Sequence, residues 1–221
     1  MNQVKILSIE KATHDVVHLK TEKPESIEYV PGQAVDVSLD TSEMKNELRA
    51  FTFTSLPSDD FLEFYIKTYP QHNGVTQQIA KLKKDDTLLI GSTFGDIQYK
   101  GEGIFLAGGA GITPFIAILK DLEAQNKIGN NKLIFANKTA KDIINKNYFE
   151  KLIGSNFINV LSEEHKEGME YGYITQELIN SQATKKELYY YLCGPSPMMD
   201  AVLKHLAALG IDNSKIVKEQ F

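Results

Sequence analysis

Arg49-Ala50-Phe51-Thr52 places a cation, an aromatic ring and a hydroxyl within four residues of an apolar, alternating run. Residues two apart on a strand share a face. Arg49 and Phe51 can therefore lie together against one flat, charged ligand, with the guanidinium on its phosphates and the ring on its plane. Thr52 points to the opposite face unless the strand ends or bends there.

A second group of residues suits an anion. Phe105-Leu106-Ala107 runs into Gly108-Gly109-Ala110-Gly111-Ile112-Thr113-Pro114. Gly109 and Gly111 let backbone approach a ligand closely and take φ values denied to other residues. Pro114 suits the first turn of a helix, where a missing N–H costs little. Free N–H groups and the helix dipole then favour an anion there, such as a dinucleotide pyrophosphate. The spacing lacks the third glycine of the full dinucleotide fingerprint, and the same residues also serve a ligand-free turn. Because this turn opens the second half of the chain, another unit precedes it.

The third group is Tyr189-Tyr190-Tyr191-Leu192-Cys193-Gly194-Pro195-Ser196-Pro197-Met198-Met199. The aromatic run reads as a buried strand, and Ser196 with Pro197 as an N-cap and first-turn pair. Cys193 then stands at the carboxyl end of a strand, where open α/β sheets bind ligands. A thiol there is small, soft and uncharged beside a ring. Cysteine is equally a small core residue. No histidine adjoins it in sequence to make a nucleophilic pair.

These residues need elements to position them. The chain has 221 residues, enough for one large domain or two modest ones. A net charge of -5 and the absence of an arginine-rich block argue against nucleic-acid binding. With Cys193 the only cysteine, an intramolecular disulfide, a cysteine-held iron–sulfur cluster and a cysteine-rich zinc site are all excluded within this chain. The histidines, His14, His18, His72, His165 and His205, form no metal-like cluster in sequence, so no metal is expected. The start lacks the apolar core of a signal peptide, and no run is long enough to span a membrane. A cytoplasmic protein is the expectation.

The two halves differ in rhythm. Up to residue 97, short alternating runs (Val4 to Ile9, Val16 to Leu19, Val35 to Leu39, Ala50 to Phe53, Leu62 to Lys67, Thr87 to Ile90) are separated by turn signals such as Pro31-Gly32 and Asn73-Gly74. They predict an antiparallel β-barrel or sandwich, with one helical piece from Thr76 to Leu82. From Gly103 onward, strands at Gly103 to Ala107, Lys132 to Ala136, Phe157 to Leu161 and Glu187 to Cys193 alternate with helices at Ile112 to Leu122, Lys141 to Ile153, Tyr173 to Ile179 and Pro197 to Leu209. That alternation predicts a Rossmann-like parallel sheet. The expected domains are 1–99 and 100–221.

Taken in this order, the segments resemble the ferredoxin–NADP reductase superfamily, in which a flavin-binding barrel precedes a pyridine-nucleotide domain. Arg49-Ala50-Phe51-Thr52 is similar to that family's flavin motif of arginine, any residue, an aromatic and a hydroxyl. The resemblance implies that Arg49 contacts flavin phosphate, that Phe51 packs on the isoalloxazine or its edge, and that Thr52 offers a hydroxyl to flavin N5. Ser55 is a weaker contact candidate. Lys67, followed by Gly74, Val75 and Thr76, resembles a second segment that holds the pyrophosphate, although Gly74 also suits a plain Asn-Gly turn. Gly91-Ser92-Thr93-Phe94-Gly95 resembles a third, a Gly-Pro-x-Gly turn, without its proline. Gly109, Gly111, Ile112, Thr113 and Pro114 match the nucleotide turn. Cys193, Gly194 and Pro195 with Met198 match the Cys-Gly-Pro segment, whose cysteine lies near the hydride-bearing nicotinamide carbon. Glu219 would be a polar group near the transfer site. Phe221 would cover the flavin face until nicotinamide displaces it, where a chain end by itself reads as a frayed tail.

The resemblance implies an FAD-dependent NAD(P)H reductase that passes hydride from nicotinamide C4 to flavin N5, and electrons on to a separate carrier: flavodoxin, ferredoxin or an oxygenase component. FAD is favoured over FMN because the barrel segments fit the commoner form. NADH and NADPH stay open, since Leu161-Ser162-Glu163-Glu164 carries acid where NADP forms often carry arginine, while Asn137-Lys138 and Lys141 follow the second strand and His165 and Lys166 lie near. A non-autonomous electron-transfer or regulatory subunit is the alternative.

Overall fold

The computed structural model describes residues 1–69, 71, 74–183 and 188–219. Its first six strands are β1 (Asn2–Lys11), β2 (Val16–Glu22), β3 (Ala34–Leu39), β4 (Arg49–Thr52), β5 (Phe61–Lys67) and β6 (Thr87–Phe94). They pair antiparallel in the order β4-β3-β6-β1-β2-β5. Alternation supplies the inner face: Val4 and Ile6 of β1, Val37 of β3 and Leu62, Phe64 and Ile66 of β5 are buried in one core. Thr54, just past β4, donates its N–H to the Glu63 carbonyl of β5 at 2.8 Å, which ties the two ends of the sheet together. Helix α1 (Val75–Ile79) buries Val75 and Ile79 in the same core.

The second half forms a six-stranded parallel sheet from β7 (Gly103–Gly108), β8 (Lys132–Asn137), β9 (Phe157–Leu161), β10 (Glu170–Tyr171), β11 (Tyr189–Cys193) and β12 (Ile216–Lys218), with α2 (Thr113–Ala124), α3 (Lys146–Ile153), α4 (Gln176–Gln182) and α5 (Ser196–Ala208). The strand order is β10-β9-β8-β7-β11-β12. From β7 the chain winds one way through β8 and β9, and it later returns to the other side as β11. The carboxyl ends of β7 and β11 therefore flank a topological switch point, the usual ligand crevice of such sheets.

Helix α2 joins the halves. Its first seven residues, Thr113 to Leu119, are all buried, so it lacks a solvent face along that stretch. It packs on Phe105, Leu133 and Tyr191 of the parallel sheet, and the same core takes in Val16 of β2 and Ile97 of the linker. Gly32, at φ +102, makes room here: a Cβ would strike the Ile97 carbonyl and come within 3.3 Å of Ile118 Cδ1. The Tyr191 hydroxyl pins the linker, accepting from Lys100 N and Gly101 N at 2.9 and 3.0 Å and donating to the Gly101 carbonyl at 2.6 Å.

Several expected bounds are corrected. The helix expected from Lys141 starts at Lys146, because residues 140–142 form a 3-10 turn and Asn145 adopts φ +54. The helix expected over Tyr173 to Ile179 runs from Gln176, capped by the Thr175 side chain. Gly91 to Phe94 continue β6 as strand and do not form a turn. The short strands β10 and β12 have too few residues to show a period. Residues Asn73 and Glu187 of the expected turn and strand lie outside the described residues.

Candidate functional site

A cleft of about 470 Å³ lies where the barrel meets the parallel sheet. The barrel contributes Ala50, Phe51 and Thr52, then Tyr65 and Lys67, then Tyr69 and Thr76. The parallel sheet contributes Gly108 to Gly111 and Thr113 after β7, and Cys193, Gly194 and Pro195 after β11. Segments from both halves, far apart in sequence, thus line one space. Strand β4 ends at Thr52 and the chain turns inward at the buried Phe53.

The two turns of the parallel sheet interlock. Any Cβ on Gly111 would collide with the Cys193 carbonyl, and one on Gly108 would meet Met198 Sδ and Pro195. Gly109 differs: it sits at φ +52 with nothing within 4 Å of where a Cβ would be. Its backbone is therefore the open wall of the turn. The Thr113 hydroxyl donates to the Ala110 carbonyl at 3.0 Å and holds the turn's shape. Helix α5 begins at Ser196 with Pro195 as its cap, one residue earlier than the sequence suggests.

Electrostatics keep the Cys193 wall of the cleft uncharged. Burial, with the Glu219 carboxylate nearby, pushes the Cys193 thiol up to about 12, so it stays protonated near neutrality. Glu219 reaches back to the barrel, its Oε2 accepting from Asp96 N at 3.2 Å. Burial, reinforced by the Asp96 charge, raises its pKa against the opposing pull of that hydrogen bond. Lys67 is held by Asp15 at 2.8 Å.

Beyond Gly109 a recess of about 210 Å³ continues the cleft, lined by Ala136, Asn137, Lys138, Asp142, Ser162, Gly172, Tyr173 and Met198. Asn137, at the end of β8, is 8% exposed, yet neither its side-chain oxygen nor its nitrogen has a partner. A buried carboxamide left in that state is costly unless a ligand completes it. Together with the open face of Gly109, this suits a dinucleotide lying from the cleft into the recess.

Not every residue singled out from sequence faces this space. The exposed Arg49 guanidinium donates to the Leu48 carbonyl at 2.7 Å and pairs with Glu47 at 3.4 Å, outside the cleft lining. Ser55 is fully buried, bonded to the Tyr29 hydroxyl at 2.9 Å and to Glu63 N at 3.0 Å, so it is a core residue and not a cleft contact. The side chains of Val75, Ile112 and Pro114 are buried. None of the three is in the cleft lining. Gly74 caps α1 with open space around it. Phe221 lies outside the described residues. Tyr65 lines the site without any sequence signal, because an isolated tyrosine within a strand has no motif, whereas Asn137 follows from its place at the end of the second strand of this sheet.

His14, Asp15 and Asp142 bring their ligand-type atoms within 4.8 Å of one another, a grouping invisible in sequence because Asp142 comes from the other sheet's side. Its carboxylates already have partners: Lys67 holds Asp15, and Asp142 accepts from Thr139 N and Oγ1 at 2.7 and 2.8 Å.

The chain matches two family models, an FAD-binding domain over residues 1–127 and an oxidoreductase NAD-binding domain over residues 105–204. It is 26% identical to the reductase component of propane 2-monooxygenase from Mycolicibacterium goodii, across 99% of this chain and 67% of that protein. It is 25% identical to the toluate 1,2-dioxygenase electron transfer component of Pseudomonas putida, across 92% and 62%. The chain spans 59–67% of the length of the first curated relatives it matches. Among solved structures, a ferredoxin NADP+ reductase from Neisseria gonorrhoeae with bound FAD and NADP superimposes with a TM-score of 0.86 at 21% identity, covering 99% of this chain and 97% of that one, a likeness of fold. No described helix is long and apolar enough to cross a membrane.

Proposed function

This chain belongs to the ferredoxin–NADP reductase superfamily of FAD- and NAD(P)-binding oxidoreductases, and we propose on that premise that it moves hydride from NAD(P)H to FAD and then hands electrons to a separate carrier. The observation that carries the reading is the shared cleft: the end of β4 with Thr52 and the ends of β7 and β11 with Gly109 and Cys193 line one space. FAD supplies the chemistry, accepting two electrons together and releasing them singly. The protein's task is to orient and exclude.

In this reading Phe51 and Tyr65 flank the flavin ring, and the Thr52 hydroxyl supplies a hydrogen bond at its N5 edge. Backbone N–H groups of Gly74, Val75 and Thr76, with Lys67, take flavin phosphates, and Arg49 swings from Glu47 to join them. The turn at Gly109 to Thr113 binds the nucleotide pyrophosphate, with Asn137 completing its hydrogen bonds on the ribose side. Cys193, neutral and small, lets the nicotinamide approach without placing a charge beside it. Glu219 holds a polar contact at the cleft edge. By holding both groups in one cleft, these residues would turn a bimolecular encounter into a local event.

The electron acceptor is proposed to be a one-electron carrier or an oxygenase component, since two relatives are described as a monooxygenase reductase component and a dioxygenase electron transfer component. Anaerobic mixing of the FAD-loaded protein with NADH and NADPH in parallel, followed by flavodoxin, ferredoxin or an oxygenase component, tests the whole scheme. Bleaching of flavin absorbance and its recovery on adding an acceptor are expected. Bound flavin that neither nucleotide bleaches would reject autonomous reduction.

A further inference from the structure

We propose that Lys120 is a positioning residue for hydride transfer, locking the helix that carries the nucleotide turn onto the two strands that carry the flavin side of the cleft. The inference rests on the hydride-transfer reading above.

Lys120 projects from α2 across the junction between the halves. Its Nζ donates to the Thr54 carbonyl at 2.9 Å and forms a short contact with the Glu63 carboxylate of β5. Glu63 is 5% exposed. The rest of its carboxylate is filled from the barrel: His18 Nε2 lies 2.9 Å from Oε1, Lys20 Nζ 3.8 Å away, and the Thr54 hydroxyl donates to Oε2 at 3.0 Å. Burial by itself raises this carboxyl, but the His18 hydrogen bond and the charge and bond of Lys120 outweigh it and hold the group at about 2. Glu63 is therefore an anion with a protein donor on both oxygens, one of them from the opposite half.

The attachment points matter more than the strength. Thr54 lies two residues beyond Thr52, and Glu63 two residues before Tyr65 and four before Lys67. Thr52, Tyr65 and Lys67 all line the cleft. At its other end α2 begins with Thr113, also in the cleft. Seven residues, about two helical turns or about 10 Å, separate Thr113 from Lys120. One rigid rod thus touches the nucleotide side at its start and grips both flavin-side strands further along. A second tie reinforces it: the Tyr65 hydroxyl donates to Asn145 Oδ1 at 2.9 Å, and the Tyr65 ring stacks on His18 at 4.5 Å.

Interfaces between domains of one chain permit relative motion by default. A buried ion pair adds little net stability compared with an apolar pair, but it favours one arrangement over others, and removing one partner leaves a charge stranded. A misplacement of about 1 Å at reacting atoms costs a rate factor of about 100. The clamp sits where such a misplacement would arise.

The test uses Lys120→Met, Lys120→Arg and Glu63→Gln in the full chain. Two readouts are taken: the limiting rate of flavin reduction with the nucleotide Kd, and the dipolar distance between spin labels at Glu25→Cys and Lys204→Cys, measured with and without flavin. In the methionine variant the rate should fall about 10- to 100-fold with Kd within about threefold, and the distance distribution should broaden. Arginine, which keeps the charge, should restore both. If the methionine variant misfolds, Glu63→Gln gives the same pair of readouts with the side-chain shape kept. Wild-type rate and a narrow distance in Lys120→Met or Glu63→Gln would overturn the clamp. A wild-type protein that neither nucleotide reduces would overturn the functional reading instead, and the distance measurement would still judge the clamp.

Discussion

Gly111 and the Cys193 carbonyl are packed so closely that no side chain fits between them. The two turns that close the nucleotide side are thus one unit, built by contact between residues 82 positions apart. Gly111→Ala should force them apart and cost about 1–3 kcal/mol of stability, the usual penalty of overpacking. Gly109→Ala meets open space but a left-handed backbone, and should cost only about 1–2 kcal/mol while weakening nucleotide binding more. Thermal melts beside NAD(P)H titrations separate the two. Equal losses of stability and affinity in both variants would contradict the assignment.

Thr52→Ala should slow flavin reduction about tenfold, in the range lost with one positioned hydrogen bond, while flavin stays bound. Stopped-flow bleaching measures the first and flavin retention on gel filtration the second. An unchanged rate removes Thr52 from the mechanism.

The Cys193 thiol is raised to about 12 by burial and the Glu219 charge, so it stays protonated between about pH 7 and 9, where an ordinary thiol near 8.5 ionises. Iodoacetamide should therefore label it slowly, with no inflection in that window. A midpoint near that of free cysteine would show an exposed thiolate and contradict the neutral-wall role.

Glu63 predicts an acid limit. Its folded carboxyl is at about 2 against an ordinary 4.5, so it contributes stability above 4.5 that is lost as pH falls toward 2. The loss is on the order of 3 kcal/mol. Urea melts across that window should show the slope in the wild type and a flatter line in Glu63→Gln. Parallel slopes would mean the carboxylate is not stabilised by the fold.

Nucleotide choice follows from the recess. Its lysines, Lys67 and Lys138, are both engaged, by Asp15 at 2.8 Å and by Glu163 at 3.1 Å, and Asp142 adds a carboxylate. A 2′-phosphate in the recess would meet acid with neither lining lysine free, so NADH should be preferred. Glu163→Ala releases Lys138 and should improve kcat/KM for NADPH severalfold while leaving NADH nearly unchanged. Better use of NADPH by the wild type would refute this.

The two halves and the two cleft-lining turns after β7 and β11 were legible in the chain because their causes are local. A period of two or of alternating strand and helix declares the sheet type, and glycines with a following proline declare a turn into a helix at Gly108 to Pro114 whatever surrounds it. Cys193-Gly194-Pro195 could be placed at a strand end for the same reason. Other features depend on partners far along the chain. Nothing around Lys120 or Glu63 foretells that they meet, nor that Ser55 turns inward while Thr52 lines the cleft. Asn137 is an ordinary strand residue until burial strips it of water and leaves its amide unpaired. Asn145 delays the start of an expected helix because its backbone goes left-handed, where Tyr65 bonds it from the other half. Short-range sterics write the elements and their turns into the sequence, whereas burial and charge pairing across the cleft exist only once the two sheets have packed.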